Sequence, residues 1–201
     1  MLTAAVPSTQ TPLATSLQIA AATNGNAEKF KQFIAPYVAT GGQFTSATLL
    51  GQDATGFQVI ATVGSAPKHS PITPALIRRA LLSQTFVVTG TVGGKHPQLG
   101  YAYALATSHP QHLVYAEHAI PPDKKASVAS NAAFSDLNYA IYIGPNANPK
   151  RLLTTSFHNL PPTGHTSSVT VPFRDSKLTL VTTASGQLGE VFRNCSLGYS
   201  A

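Results

Sequence analysis

Between Val38 and Gln43 the hydrophobic repeat of this chain changes period, and that change constrains the fold more than any other feature. Upstream the spacing is helical. Phe30, Phe33, Ile34 and Tyr37 stand at i, i+3, i+4 and i+7, an amphipathic stripe on a helix expected over 27–35, with Asn26 as cap and Pro36 as stop. Before it, "LATSLQIAAAT" (13–23) places Leu13, Leu17 and Ala20/Ala21 on one face, with Thr11 as cap and Pro12 in the first turn. "NGNAEKF" separates the two. The chain therefore opens with a long, broken helical arm, 11–40.

From Gly41 the period is two. "QFTSATLL" and "GFQVIATVG" read as strands around the turn-forming "GQDATG". "SPITPALIRRALLSQ" reads as a short helix with Thr73 as cap, Pro74 at the first helical position and Ile77, Ala80 and Leu81 as its buried stripe. Three strands follow, "TFVVTGTVGG", "LGYAYALAT" and "HLVYAEHAI". This order predicts an α+β lobe over 41–120, an antiparallel sheet with helices on one face. "PPDKKASVASN" (121–131) reads as a connector. A second, smaller lobe, 132–189, takes its strands from "FSDLNYAIYIGP", "PKRLLTTS" and the hairpin "SSVTVPF"/"KLTLVTTA" around Arg174-Asp175-Ser176. The tail, 190–201, has no periodicity.

Composition narrows the function classes. Apolar residues make up 43% of the 201, enough for a real core, but charged residues only 10%, against about 25% in average soluble domains. Hydroxyls and small residues take over the surface, as is common in exported proteins. The net charge is +6, yet the 13 Lys and Arg are scattered. The densest pairs are Arg78-Arg79, Lys124-Lys125 and Lys150-Arg151, and no basic run or aromatic interleaving offers a nucleic-acid surface. The single cysteine, Cys195, excludes a disulfide within one chain and a Cys-based zinc site. No stretch of about 20 apolar residues is present. "MLTAAVPSTQTPLA" lacks a charged leader region, so Met1 reads as an added initiator on an excised domain.

Catalytic material is scarce. The seven carboxylates are Glu28, Asp53, Glu117, Asp123, Asp136, Asp175 and Glu190, and only Glu117 falls inside a strand. No G-x-S-x-G is present, and "GTVGGKHP" lacks the spacing of a phosphate loop. His109, His112 and His118 have no acid or cysteine beside them to complete a metal site; Glu117 points to the face opposite His118. No catalytic residue, metal or cofactor is expected, and a small secreted hydrolase is the least supported reading. Alternation supplies ligand candidates instead. Tyr101, Tyr103 and Leu105 share one face of their strand, and Leu113, Tyr115 and Glu117 one face of the next. Three tyrosines and a carboxylate on one sheet face suit a small polar or cationic ligand. Arg78 or Arg79, on the preceding helix, would clamp a carboxylate. The structural alternative is a partly wet sheet face, with Glu117 paired to a surface Lys or Arg.

The order of motifs resembles a known family. The arm "SLQIAAATNGNAEKFKQFIAPYV" precedes two lobes, the second opening with "AFSDLNYAIYIG" and closing with "VTVPFRDSKLTLVTTA". Together with "RRALLS", "LGYAYAL" and "VYAE", this is similar to the CHASE-like extracellular sensor domains of bacterial transmembrane receptors, over about Leu13 to Gly189. The resemblance implies a long N-terminal helix, tandem PAS-like lobes and flanking membrane helices. It also implies an extracytoplasmic location, a small-molecule ligand or other stimulus, and a cytoplasmic output such as a histidine kinase, cyclic-dinucleotide enzyme or nucleotide cyclase. The ligand is expected in the first lobe, and a homodimer contact along the arm through Leu13, Leu17 and the Phe30/Phe33/Ile34 stripe. A ligand-free dimerisation or protein-interaction module is the alternative.

Overall fold

The computed structural model describes residues 2–65, 72–83, 85–92, 96–105, 111–125, 137–162 and 165–184. His109, Asp136, Glu190, Cys195, most of the 121–131 connector and the 190–201 tail lie outside the described residues. The fold is α+β, N-terminal helices followed by two antiparallel sheets of five and four strands. The chain divides into two compact units, Met1–Ile120 with the turn Phe173–Ser176, and Pro121–Pro172 with Lys177–Ala201.

The first unit begins with helices α1 (Leu2–Ala22) and α2 (Ala27–Val38). Both run past the proline expected to bound them. α1 starts upstream of Pro12, and α2 passes through Pro36 to Val38. A proline removes one intrahelical hydrogen bond, and packing offsets that loss here, because Leu13, Leu17, Ala20, Phe30 and Ile34 are completely buried. Each large apolar side chain so buried contributes about 1.5–3 kcal/mol. The same burial corrects the expected use of this stripe as a dimer contact. Those side chains are spent on the unit's own core, and only Phe33 stays half-buried, its ring tilted against Tyr37 at 5.7 Å. The corner between the helices is made by Asn24 and Gly25, both at positive φ, and by Asn26, whose side chain accepts from the Lys29 N–H at 3.0 Å.

The sheet of this unit has the order β2-β1-β5-β4-β3. Its strands are β1 (Ser46–Asp53), β2 (Gly56–Gly64), β3 (Val87–Thr91), β4 (Gln98–Ala104) and β5 (His112–Ala119). Helix α3 (Pro74–Leu82) connects β2 to β3, capped by the Thr73 hydroxyl on the Leu76 N–H at 3.2 Å. Helices cover both faces, not the one expected. Leu76 and Ala80 of α3 pack with Leu50, Val87, Ala102, Leu113 and Tyr115. On the opposite face α1 lies against β4 and β5, and α2 against β1 and β2. β4 and β5 are accordingly buried without a break over 99–104 and 113–117, as two-sided cover requires. Within α3, Leu76 rather than Ile77 or Leu81 is the fully buried partner of Ala80; Ile77 and Leu81 are half-buried.

Aromatic rings tie the far edge of the unit together. Phe86 packs edge-on to Tyr101 at 5.5 Å and to Phe173 at 5.9 Å, and Tyr101 meets Phe44 at 6.3 Å. Asp175 accepts from the Val88 N–H at 2.8 Å and pairs with Arg79. The Arg174 guanidinium lies 5.5 Å from the Phe86 centroid.

The second unit contributes β6 (Leu137–Ile143), β7 (Leu152–Thr155) after a short 3-10 turn at Pro149–Arg151, β8 (Ser167–Phe173) and β9 (Ser176–Ala184), in the order β7-β6-β9-β8. Ala140, Tyr142, Leu152, Phe157 and Val181 form its core. A parallel bridge between Lys125 and Thr155 ties the entering chain to β7.

Two substitutions test this packing. Gly100 on β4 leaves the space that the Tyr115 ring and hydroxyl occupy, so Gly100→Ala should destabilise the fold by about 1–3 kcal/mol; unchanged denaturation would contradict the packing. Asp175→Ala leaves the partly buried Val88 N–H without its acceptor and should cost about 1–3 kcal/mol, with Asp175→Asn recovering part of it. Equal midpoints for wild type and Asp175→Ala in urea would show that the contact contributes nothing.

Candidate ligand site

Strand register decides which candidates meet. Across β4 and β5, Ala102 pairs with Tyr115 and Gly100 with Glu117, whereas Tyr101 pairs with Ala116 and Tyr103 with Val114. Directly paired residues share a face. Tyr115 and Glu117 therefore lie on the α3 face, and Tyr101 and Tyr103 on the opposite face. The expected single face with three tyrosines and a carboxylate does not exist. Alternation along each strand was read correctly, but nothing in one strand fixes its phase against the next.

Three residues converge on the α3 face. The Tyr115 hydroxyl donates to Glu117 Oε1 at 3.1 Å, and the Ser46 hydroxyl to Glu117 Oε2 at 3.2 Å. Ser46 is the register partner of Glu117 on β1. All three are buried, Glu117 to 4% exposure. Among the described residues Glu117 forms no ion pair. The strand holding it is pinned at its end, where Thr45 donates through both its N–H and its hydroxyl to the Glu117 carbonyl, at 2.7 and 3.1 Å. Burial, and next the charge and hydrogen bond of Glu117, push the Tyr115 hydroxyl well above the ordinary tyrosine range. Of the sequence candidates, Tyr115 and Glu117 meet here, and the residues they meet, Ser46 and Gly100, were not among the candidates. Their signals are long-range: a small hydroxyl and a missing side chain on the two neighbouring strands.

The other candidates have different roles. Tyr101 is a core ring between Phe44 and Phe86, its hydroxyl pushed up to about 12 by burial. Tyr103 is buried on the same face. Arg79 is committed to the Val88 carbonyl, at 3.0 Å, and to Asp175, so it is not a free clamp; Arg78 is exposed. His112 is half-buried against the α1–α2 corner, where a β-carbon on Gly25 would come within 2.7 Å of its Nε2, and burial lowers its pKa. His118 Nδ1 sits 2.8 Å from the Gln43 carbonyl oxygen. Among the described residues no group of three His, Cys, Asp or Glu side chains could hold a metal ion. No described helix is long and apolar enough to cross a membrane.

The tyrosines give a pH dependence. In the unfolded chain they ionise near pH 10; in the fold Tyr101 ionises near 12 and Tyr115 higher. Above pH 10 the unfolded chain releases protons that the folded chain retains, so the tyrosine contribution is complete below pH 10 and is lost as pH rises beyond it. Urea denaturation between pH 9 and 11 should show this decline, and Tyr115→Phe should flatten it. An identical slope in the variant would show that Tyr115 ionises normally.

No protein-family model matches this sequence, and no curated protein matches it. Among solved structures, the fold is similar to the ligand-binding domain of the Pseudomonas aeruginosa PAO1 amino acid chemoreceptor PctB, in complex with L-Arg: 10% identity, 94% of this chain and 88% of that chain covered, TM-score 0.52. The ligand-binding domain of PctC from the same organism, in complex with GABA, matches with 13% identity, 90% and 95% coverage and a TM-score of 0.47. That of the Campylobacter jejuni chemoreceptor Tlp3, in complex with 4-methylisoleucine, matches with 8% identity, 96% and 86% coverage and a TM-score of 0.49. The fold is thus similar to that of the PctB ligand-binding domain.

Proposed function

We propose that this chain is the extracytoplasmic sensory domain of a bacterial membrane receptor, of the tandem PAS-like, CHASE-like kind. It binds a small ligand carrying an ammonium group and passes the signal to a cytoplasmic output. The fold likeness to PctB supports a receptor domain, and the ligand of PctB, L-Arg, is an ammonium-bearing molecule. The output is a chemotaxis module, a histidine kinase or a cyclic-nucleotide or cyclic-dinucleotide enzyme. In this reading 41–120 is the ligand lobe, 121–131 the connector and 132–189 the second lobe, with membrane helices flanking the domain.

The observation that carries the ligand class is the Glu117 carboxylate, buried and held by two hydroxyls, with no cation beside it among the described residues. A buried charge is stabilised by an opposite charge, and an ammonium supplies it. Tyr115 orients the carboxylate, and exposed Arg78 remains the candidate for a ligand carboxylate. Tyr101 and Tyr103 have no direct part.

The test is a thermal-shift panel of amino acids and small amines, followed by calorimetry. A ligand at 100 times its dissociation constant stabilises by about 2.7 kcal/mol. Glu117→Gln should weaken it about tenfold or more, since a hydrogen bond to a charged group is worth about 1.5–3 kcal/mol, and Tyr115→Phe should weaken it less. If no ammonium compound binds, or both folded variants bind as wild type does, the site is wrong. A homodimer contact along the arm would use the outward face of α1, where Gln18 and Ala21 are exposed. Cysteines at these positions should crosslink in the full-length receptor; signalling without any crosslink places the contact elsewhere.

A further inference from the structure

A cavity of about 350 Å³ opens in the second unit beside the β6–β9 pair. Asn138 on β6 and its register partner Thr183 on β9 contribute one side. The loop after β7 contributes the other, with Phe157, Pro161 and Pro162 as apolar surface and His158 and Asn159 as polar rim.

The loop is fastened at several points. The Ser156 N–H donates to the Tyr139 carbonyl and the Tyr139 N–H to the Ser156 hydroxyl, both at 2.8 Å. The Phe157 N–H donates to the Thr155 hydroxyl at 3.0 Å. Lys125 Nζ donates to the carbonyls of Phe157, at 2.6 Å, and His158, at 3.3 Å. A wall held this way is preorganised, which lowers the ordering cost of binding. The ammonium of Lys125 is used in holding the loop, and among the described residues no Asp, Glu, Lys or Arg lines the cavity. The Thr183 hydroxyl donates to the His165 carbonyl at 2.9 Å. The amides of Asn138 and Asn159 and the imidazole of His158 make no hydrogen bond among the described residues.

From this lining we infer a second binding site, for a neutral sugar of monosaccharide size. Each amide presents a donor and an acceptor side by side, which matches neighbouring hydroxyls on a pyranose ring. The proline and phenylalanine surface matches the ring's C–H face. A charged ligand would lose its hydration here without gaining a counter-charge from the lining. The volume lies within the range of small-molecule sites. The site belongs entirely to the second unit and is independent of Glu117.

The experiment titrates the full chain with glucose, galactose, mannose and N-acetylglucosamine, with glucuronate as the charged comparison, followed by calorimetry and assigned amide NMR. At least one neutral sugar should bind at millimolar concentration. The shifted amides should map to Asn138, Phe157 to Asn159 and Thr183, and glucuronate should bind more weakly. Asn159→Ala, on an exposed loop, should reduce affinity about tenfold, the equivalent of a lost hydrogen bond; Asn138→Ala is the second variant. The inference is overturned if no neutral sugar binds, if glucuronate binds as well, if the shifts map elsewhere, or if both folded variants keep wild-type affinity.

Discussion

The pairing of β5 with β1 on one side and β4 on the other is the interaction on which the first unit depends. It places Ser46, Gly100 and Glu117 in one row across three strands and Thr48, Ala102 and Tyr115 in the next. A one-residue slip would turn Glu117 towards the α1–α2 face and bring Ala116 and His118 round to α3. The glycine of the first row makes the second row possible, because Tyr115 leans over Gly100 to reach Glu117. Register, ring packing and the carboxylate's hydrogen bonds are thus one arrangement.

A carboxylate in that position is expensive to bury, and two hydroxyls compensate only in part, since neutral donors stabilise a charge less than a cation does. Its neighbour Tyr115 packs in an apolar cluster with Leu50, Leu113, Val87 and Ala102 and with Leu76 and Ala80 of α3. A group so placed either serves specificity of folding or awaits a partner, and in the proposed function that partner is a ligand ammonium. The cavity of the second unit has the opposite character. Among the described residues its lining carries no Asp, Glu, Lys or Arg, and its unused hydrogen-bonding groups are amides and an imidazole. The two units therefore offer different chemistry on sheets of similar kind.

Much of this was legible in the sequence. Thr73, Pro74 and Asn26 announced their helix starts through side-chain caps, a strictly local effect. The strands fell where alternation put them, and the turn at Arg174-Asp175 was visible in its residues. Prolines misled, because Pro12 and Pro36 carry a local penalty that burial of Leu13, Leu17, Phe30 and Ile34 outweighs. Arg79 looked like a ligand clamp, but it pairs with Asp175, which is 96 residues away in the chain.

The sequence by itself determined the fold class and the order of elements, because helix caps, the 3.6 and 2 periods and turn residues act within a few positions of the chain. It also determined that Glu117 lies inside a strand, with Tyr115 on the same side two residues before it. Only the tertiary structure decided that Tyr101 and Tyr103 face away from them, that Ser46 completes the carboxylate's hydrogen bonds, and that helices cover both faces of the sheet. Those outcomes depend on the phase of one strand against another. That phase is set by hydrogen bonds and packing between residues tens of positions apart, which no local pattern encodes.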